Sequence, residues 1–113
     1  MSGEHLFSGS EDCTIRKWNI AGECLLLLQE QSNIEILLVF DGFLFTGSFD
    51  RKVKKWTLDG KEQQIYQGHT KAIYCLTAWN DALFSGSYDK TIIQWTGHHF
   101  FENKVYLDQL FLN

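Results

Sequence analysis

Residues 83–95, LFSGSYDKTIIQW, have two counterparts upstream, LFSGSEDCTIRKW at residues 6–18 and LFTGSFDRKVKKW at residues 44–56. The copies start 38 and then 39 residues apart, and none needs an internal gap. A fixed period of about 40 residues marks stacked supersecondary units, none of which can bury its apolar face alone. Each copy has the same local grammar. An apolar and small stretch (Leu83 to Ser87) meets a turn around Tyr88-Asp89-Lys90, and a β-branched run returns to Trp95. Strand-like residues on both sides of a short polar break predict an antiparallel hairpin. Asp12, Asp50 and Asp89 each stand six residues before a Trp (Trp18, Trp56 and Trp95), where a carboxylate can bond nearby amides and shape the turn.

A weaker agreement fills the space between hairpins. Residues 29–44 align without gaps on residues 68–83, pairing Ile34 with Ile73, Ile36 with Cys75 and Leu37 with Leu76. Asp41-Gly42 and Asn80-Asp81 are turn signals that close this stretch onto the next hairpin, while Ala21-Gly22 and Asp59-Gly60 follow the first two Trp residues. Each period therefore holds about four short strands, and no segment has helical periodicity. The expected fold is all-β, in four-stranded antiparallel units.

The order Gly68-His69, Ser85-Gly86-Ser87, Asp89, Trp95 resembles the WD-repeat (tryptophan–aspartate repeat) β-propeller motif, and the resemblance covers about residues 5–96. It implies a partial propeller of two to three blades, not a closed ring on its own. Residues 1–30 would be an incomplete first blade, 31–68 a complete blade, and 69–96 a third blade lacking its outer strand. Residues 97–113 would be a non-repeat tail, able to supply an outer strand or a short helix. The resemblance also implies a structural tetrad of His69, Asp89, Trp95 and either Ser85 or Ser87. Asn19, Thr57 and Thr96 replace the family's Asp after the Trp; Gln29-Glu30 replaces Gly-His before the second copy; and Lys17, Lys55 and Gln94 fill a place usually apolar.

Composition narrows the setting. Hydrophobic residues at 44% and charged residues at 21% suit a soluble globular chain. The longest apolar runs, Leu25–Leu28 and Ile36–Phe40, fall far short of the ~20 residues of a membrane span, and no secretory signal pattern is visible. Cys13, Cys24 and Cys75 are odd in number and form no Cys-x-x-Cys pair, so reduced thiols in the cytoplasm or nucleus are expected, with Cys75 a core filler. A formal charge of −4 gives no whole-chain case for nucleic-acid binding.

Three sharper readings compete with structural ones. Ser85 or Ser87, His69 and Asp89 contain the ingredients of a hydrolytic triad, but no Gly-x-Ser-x-Gly elbow is present and the tetrad accounts for them, so no enzyme is expected. His98-His99 with Glu102 could suggest a metal; adjacent His residues on a strand point oppositely and lack partners at ligand spacing, so neither a metal nor a cofactor is expected. Arg51, Lys52, Lys54 and Lys55 form a basic cluster that could contact RNA phosphates, although strand alternation splits it across two faces.

In the resembling family the residue before the turn Asp projects onto a face where partners dock, which singles out Glu11, Phe49 and Tyr88, with Arg51 and Lys90 beside them. The expected function is a non-catalytic protein-interaction scaffold, binding other proteins or peptides. The runner-up is an RNA-associated protein using residues 51–55. The chain is expected to belong to a longer propeller whose remaining blades cover its open faces, with self-association of copies as the alternative.

Overall fold

The computed structural model describes residues 5–79, 81–96 and 101–106, with Thr96 and 101–106 as backbone alone. Among the described residues there are eleven strands and no helix. The first sheet contains β1 (Leu6–Gly9), β2 (Thr14–Trp18) and β3 (Cys24–Gln29). The second contains β4 (Ile34–Phe40), β5 (Phe43–Ser48), β6 (Lys52–Trp56) and β7 (Glu62–Gln67). The third contains β8 (Ile73–Trp79), β9 (Ala82–Ser87), β10 (Thr91–Thr96) and β11 (Phe101–Tyr106). Within each sheet every strand pairs antiparallel with its sequence neighbour, so each sheet is a meander. The three sheets form part of a propeller and do not close a ring.

The three copies are the hairpins β1–β2, β5–β6 and β9–β10. Each turns through the same geometry. The amides of Cys13, Arg51 and Lys90 donate to the carbonyls of Ser10, Ser48 and Ser87 at 3.1, 3.2 and 3.1 Å. These three residues adopt left-handed φ values of 71, 76 and 68°. The preceding carboxylates stabilise the bend, because Asp12, Asp50 and Asp89 accept the amides of Thr14, Lys52 and Thr91 at 3.0, 3.1 and 2.9 Å. Between β4 and β5, Asp41 and Gly42 both have positive φ (55 and 79°), the signature of a type I′ turn, and Phe40 faces Phe43 across it.

The core lies between sheets. Ile15, Ile34, Leu44 and Trp56 fill the first interface, with Phe7, Leu28, Leu37 and Leu58 against them. Phe45, Val53, Tyr66, Ile73, Leu76, Leu83, Ile93 and Trp95 fill the second. Each fully buried aliphatic side chain there, such as Val53 or Ile73, contributes about 1.5–3 kcal/mol of transfer free energy. The small residue in the repeat serves this packing: a Cβ on Gly47 would stand 2.5 Å from a methyl of Ile73, the start of the next sheet's inner strand. Gly9 meets Ile34 in the same way, at 2.4 Å.

Two expectations are corrected. The third unit does not stop at residue 96 without an outer strand, because Phe101–Tyr106 pairs along β10 from Thr91↔Tyr106 to Thr96↔Phe101. β10 would otherwise leave a row of unpaired backbone groups, and the tail supplies their partners. Cys75 is exposed, not a core filler. A β-bulge between Ile73 and Cys75 breaks the two-residue alternation, so Ile73 and Leu76 enter the core while Tyr74 and Cys75 face outward.

The first sheet keeps one open face. Alternation along β3 sends Leu26 and Leu28 towards Gly60 and the second sheet, leaving Leu25 and Leu27 exposed. Leu6 is likewise 67% exposed.

Candidate functional site

Under the third hairpin the chain builds a closed polar network. The Trp95 indole N–H donates to Ser85 Oγ at 2.8 Å, and Ser85 Oγ lies 2.7 Å from His69 Nε2. His69 Nδ1 lies 3.0 Å from Asp89 Oδ2, which also accepts the amide of Thr70 at 2.9 Å. An indole only donates, so Ser85 accepts from Trp95 and gives its own proton to Nε2; the ring proton at Nδ1 then points to Asp89. The Thr91 hydroxyl bonds the other oxygen of Asp89. Burial opposes charge on Asp89, but hydrogen bonds from Thr91, the Thr70 amide and His69 outweigh it and hold the carboxyl down at about 2. Of the two candidate serines the network takes Ser85; Ser87 donates to the Lys71 carbonyl at 2.9 Å and accepts the Asp89 amide.

The spacing of Ser85, His69 and Asp89 matches that of a hydrolytic triad, yet the site cannot meet a substrate. Ser85 is 1% exposed and its hydroxyl is held between the Trp95 indole and His69. The His69 side chain is fully covered. Among the described residues every buried side-chain nitrogen and oxygen has a partner. A network satisfied in this way locks strands together.

The other repeats carry reduced versions. In the second blade Trp56 donates to Thr46 Oγ1 at 3.1 Å, and Lys54 pairs with Glu30 at 2.7 Å. In the first, Trp18 donates to Ser8 at 2.9 Å. The residues that replace the family's Asp still cap their turns: Asn19 accepts the amides of Ala21 and Glu23, and Thr57 accepts that of Lys61.

The hairpins project side chains onto one edge of the molecule. Phe49 is 63% and Tyr88 59% exposed, so neither is buried between blades. Their amides are pinned to Asn33 and Ala72 carbonyls at 3.0 and 3.1 Å, and the Tyr88 ring stacks on Tyr74 at 4.9 Å. Phe49, Arg51 and Tyr88 line a single groove of about 630 Å³ between the second and third blades. Gln31, Ser32, Lys71 and Ala72 line it too. Of the remaining candidates, Glu11 and Lys90 are exposed but lie outside this lining. Lys71, Ala72 and Tyr74 were not singled out by sequence; the alignment of residues 32–34 on 71–73 was the signal that could have found the first two.

The basic cluster does not form one stripe. Lys54 Nζ is held by Glu30 and, at 3.5 Å, by Glu62, while Lys55 lies over the Phe43 ring, 4.1 Å from its centre. Burial lowers the affinity of Lys54 for its proton, but Glu30 and Glu62 overcome this and raise its pKa. Lys17 similarly donates to the Leu58 carbonyl at 3.0 Å, so long stems cover apolar surface where the family is usually apolar. Among the described residues no group of His, Cys, Asp and Glu is placed to hold a metal ion; His98, His99 and the Glu102 side chain lie outside the described residues.

Three antiparallel sheets packed face to face, each locked by an indole bonded to a hydroxyl, define a repeat protein of the β-propeller type. The family model "WD domain, G-beta repeat" matches residues 2–19 and 60–96, and together with the fold this supports a WD-repeat propeller family, as part of a propeller. The second copy falls between the matched segments, where Glu30 and Lys54 depart from the pattern. Among solved structures, the computationally designed Ika8 protein is 29% identical with a TM-score of 0.80, covering 90% of this chain and 33% of that one. The WD40 β-propeller domain of Doa1 is 22% identical with a TM-score of 0.85, covering 95% of this chain and 38% of that one. The chain thus spans about a third of the first and somewhat more of the second. No curated protein matches it.

Proposed function

We propose that this chain is a non-catalytic interaction module that holds partner proteins or peptides on its hairpin edge, acting inside the cell in the cytoplasm or nucleus. The observation that carries this reading is the pair Phe49 and Tyr88, exposed on adjacent blades yet fixed at their backbones by hydrogen bonds. Large apolar side chains held out in water without local burial favour a partner that covers them. Rigid presentation limits the ordering lost on binding. WD-repeat propellers generally mediate protein–protein contact, which supports the same reading. The intracellular setting rests on three free cysteines. The open face bearing Leu6, Leu25 and Leu27 is read as a surface for further blades or a second copy.

The test is affinity purification with quantitative mass spectrometry, comparing the parent chain with the double variant Phe49→Ala, Tyr88→Ala. Specific partners should be depleted from the variant. An identical partner set, with folding unchanged, would reject the docking role.

A further inference from the structure

Resting on the interaction reading, we propose that the groove between the second and third blades takes an acidic peptide segment with one apolar anchor residue. Phe49, Ala72 and Tyr88 give it apolar lining, and Arg51 and Lys71 line it as well. Both cations are exposed, and among the described residues neither joins an ion pair. The one carboxylate in the lining, Asp50, is already engaged by the Ser48 hydroxyl and the Lys52 amide. Those bonds come from neutral donors and leave Asp50 its charge, so two cations against one carboxylate give the lining a net positive charge of one beside an apolar wall, complementary to carboxylates flanking a Leu- or Phe-like side chain. Its volume, about 630 Å³, falls in the range of pockets that enclose a small ligand or a few side chains.

The same charges and rings could meet RNA, but the balance disfavours it. A nucleic acid brings one phosphate per nucleotide, and its affinity grows with the number of phosphates neutralised. Here two cations face the groove on a chain of net charge −4, and the neighbouring Lys54 is held by Glu30 and Glu62. Such a surface suits a short run of carboxylates and repels a long polyanion.

Fluorescence anisotropy on the 113-residue chain tests this at low ionic strength. The probes are a labelled peptide with one Leu flanked by Glu, its Gln-for-Glu, Lys-for-Glu and Ala-for-Leu forms, and labelled oligouridylate. The Glu–Leu peptide should bind, weaken with salt, and bind about tenfold or more tighter than the Gln and Ala forms. Arg51→Glu with Lys71→Glu should abolish that binding and admit the Lys form, circular dichroism showing the β-fold retained. Equal binding of the Gln or Lys form, indifference to the charge reversal, tighter competing binding of oligouridylate, or no binding of the Glu–Leu peptide would each overturn the proposal. A preference for the neutral peptide that Phe49→Ala and Tyr88→Ala removes would overturn the acidic specificity alone and leave the interaction reading standing. If no peptide binds and the same double variant leaves the purified partners unchanged, both fail.

Discussion

Glu30 and Lys54 meet at 2.7 Å inside the second blade, at the positions that the third repeat fills with His69 and Ile93. Their side chains are only 14% and 13% exposed, so the pair is largely withdrawn from water. The rest of the second tetrad is in place, with Thr46, Asp50 and Trp56 where Ser85, Asp89 and Trp95 stand. One repeat thus solves with an ion pair what the next solves with an imidazole.

This equivalence makes a constructive prediction. Glu30→His alone should destabilise the chain, because Lys54 loses its carboxylate and keeps its partly buried charge. Glu30→His with Lys54→Ile should recover the loss and add about 1 kcal/mol by completing a hydrogen-bonded network. Urea unfolding of both variants checks the sign of the difference.

His69→Ala should lower stability by about 2–3 kcal/mol, since Ser85 and Asp89 each lose a bonded partner in a buried setting. Thermal unfolding followed by circular dichroism measures it. An unshifted transition would show that the Trp95–Ser85 bond is sufficient by itself.

Acid should act through Asp89. Its folded-state carboxyl is held at about 2, below its ordinary 3.8. A depressed value means stability that is fully present above the unfolded value and is lost as pH falls from about 4 towards about 2. The difference in unfolding free energy between the parent and Asp89→Asn should therefore shrink across that window. A difference independent of pH would reject the assignment.

Gly47→Ala should cost about 1–3 kcal/mol, because its Cβ would press on the Ile73 methyl and force the second and third blades apart. Combining it with Ile73→Val or Ile73→Ala should recover part of the loss. Denaturant midpoints of the single and double variants give the coupling.

Phe49→Ala should change stability by no more than about 0.5 kcal/mol, as the ring is mostly in water. Tyr88→Ala should cost about 0.5–1.5 kcal/mol through the lost stacking on Tyr74. Calorimetric melts of the two variants separate these values. A large loss on Phe49→Ala would reassign that ring to packing.

Much of the fold was legible before any coordinate. The thrice-repeated hairpin, its Asp turn and its closing Trp are local features, and local backbone chemistry is enough to fix a strand, a turn and a strand. The interval between hairpins also carried its two turns in plain form. The fate of residues 101–106 was not legible, because they keep no period, and an outer strand is specified by the open edge of β10 as much as by its own residues. Cys75 misled for a related reason: a bulge shifts the alternation by one residue, and nothing in the Ile-Tyr-Cys-Leu run announces it.

The sequence by itself determined the all-β class and the repeat, since these follow from period and spacing, while the set of residues that meet under the third hairpin was implied by the resemblance to the WD-repeat motif. The tertiary structure alone decided that Ser85 and not Ser87 joins His69, that Lys54 turns to Glu30, and that Phe49, Tyr88, Arg51 and Lys71 border one groove. The first two depend on how the segment before each sheet folds back over its own hairpin, and the groove on how two sheets sit against each other; both join residues that no local rule of turn or strand connects.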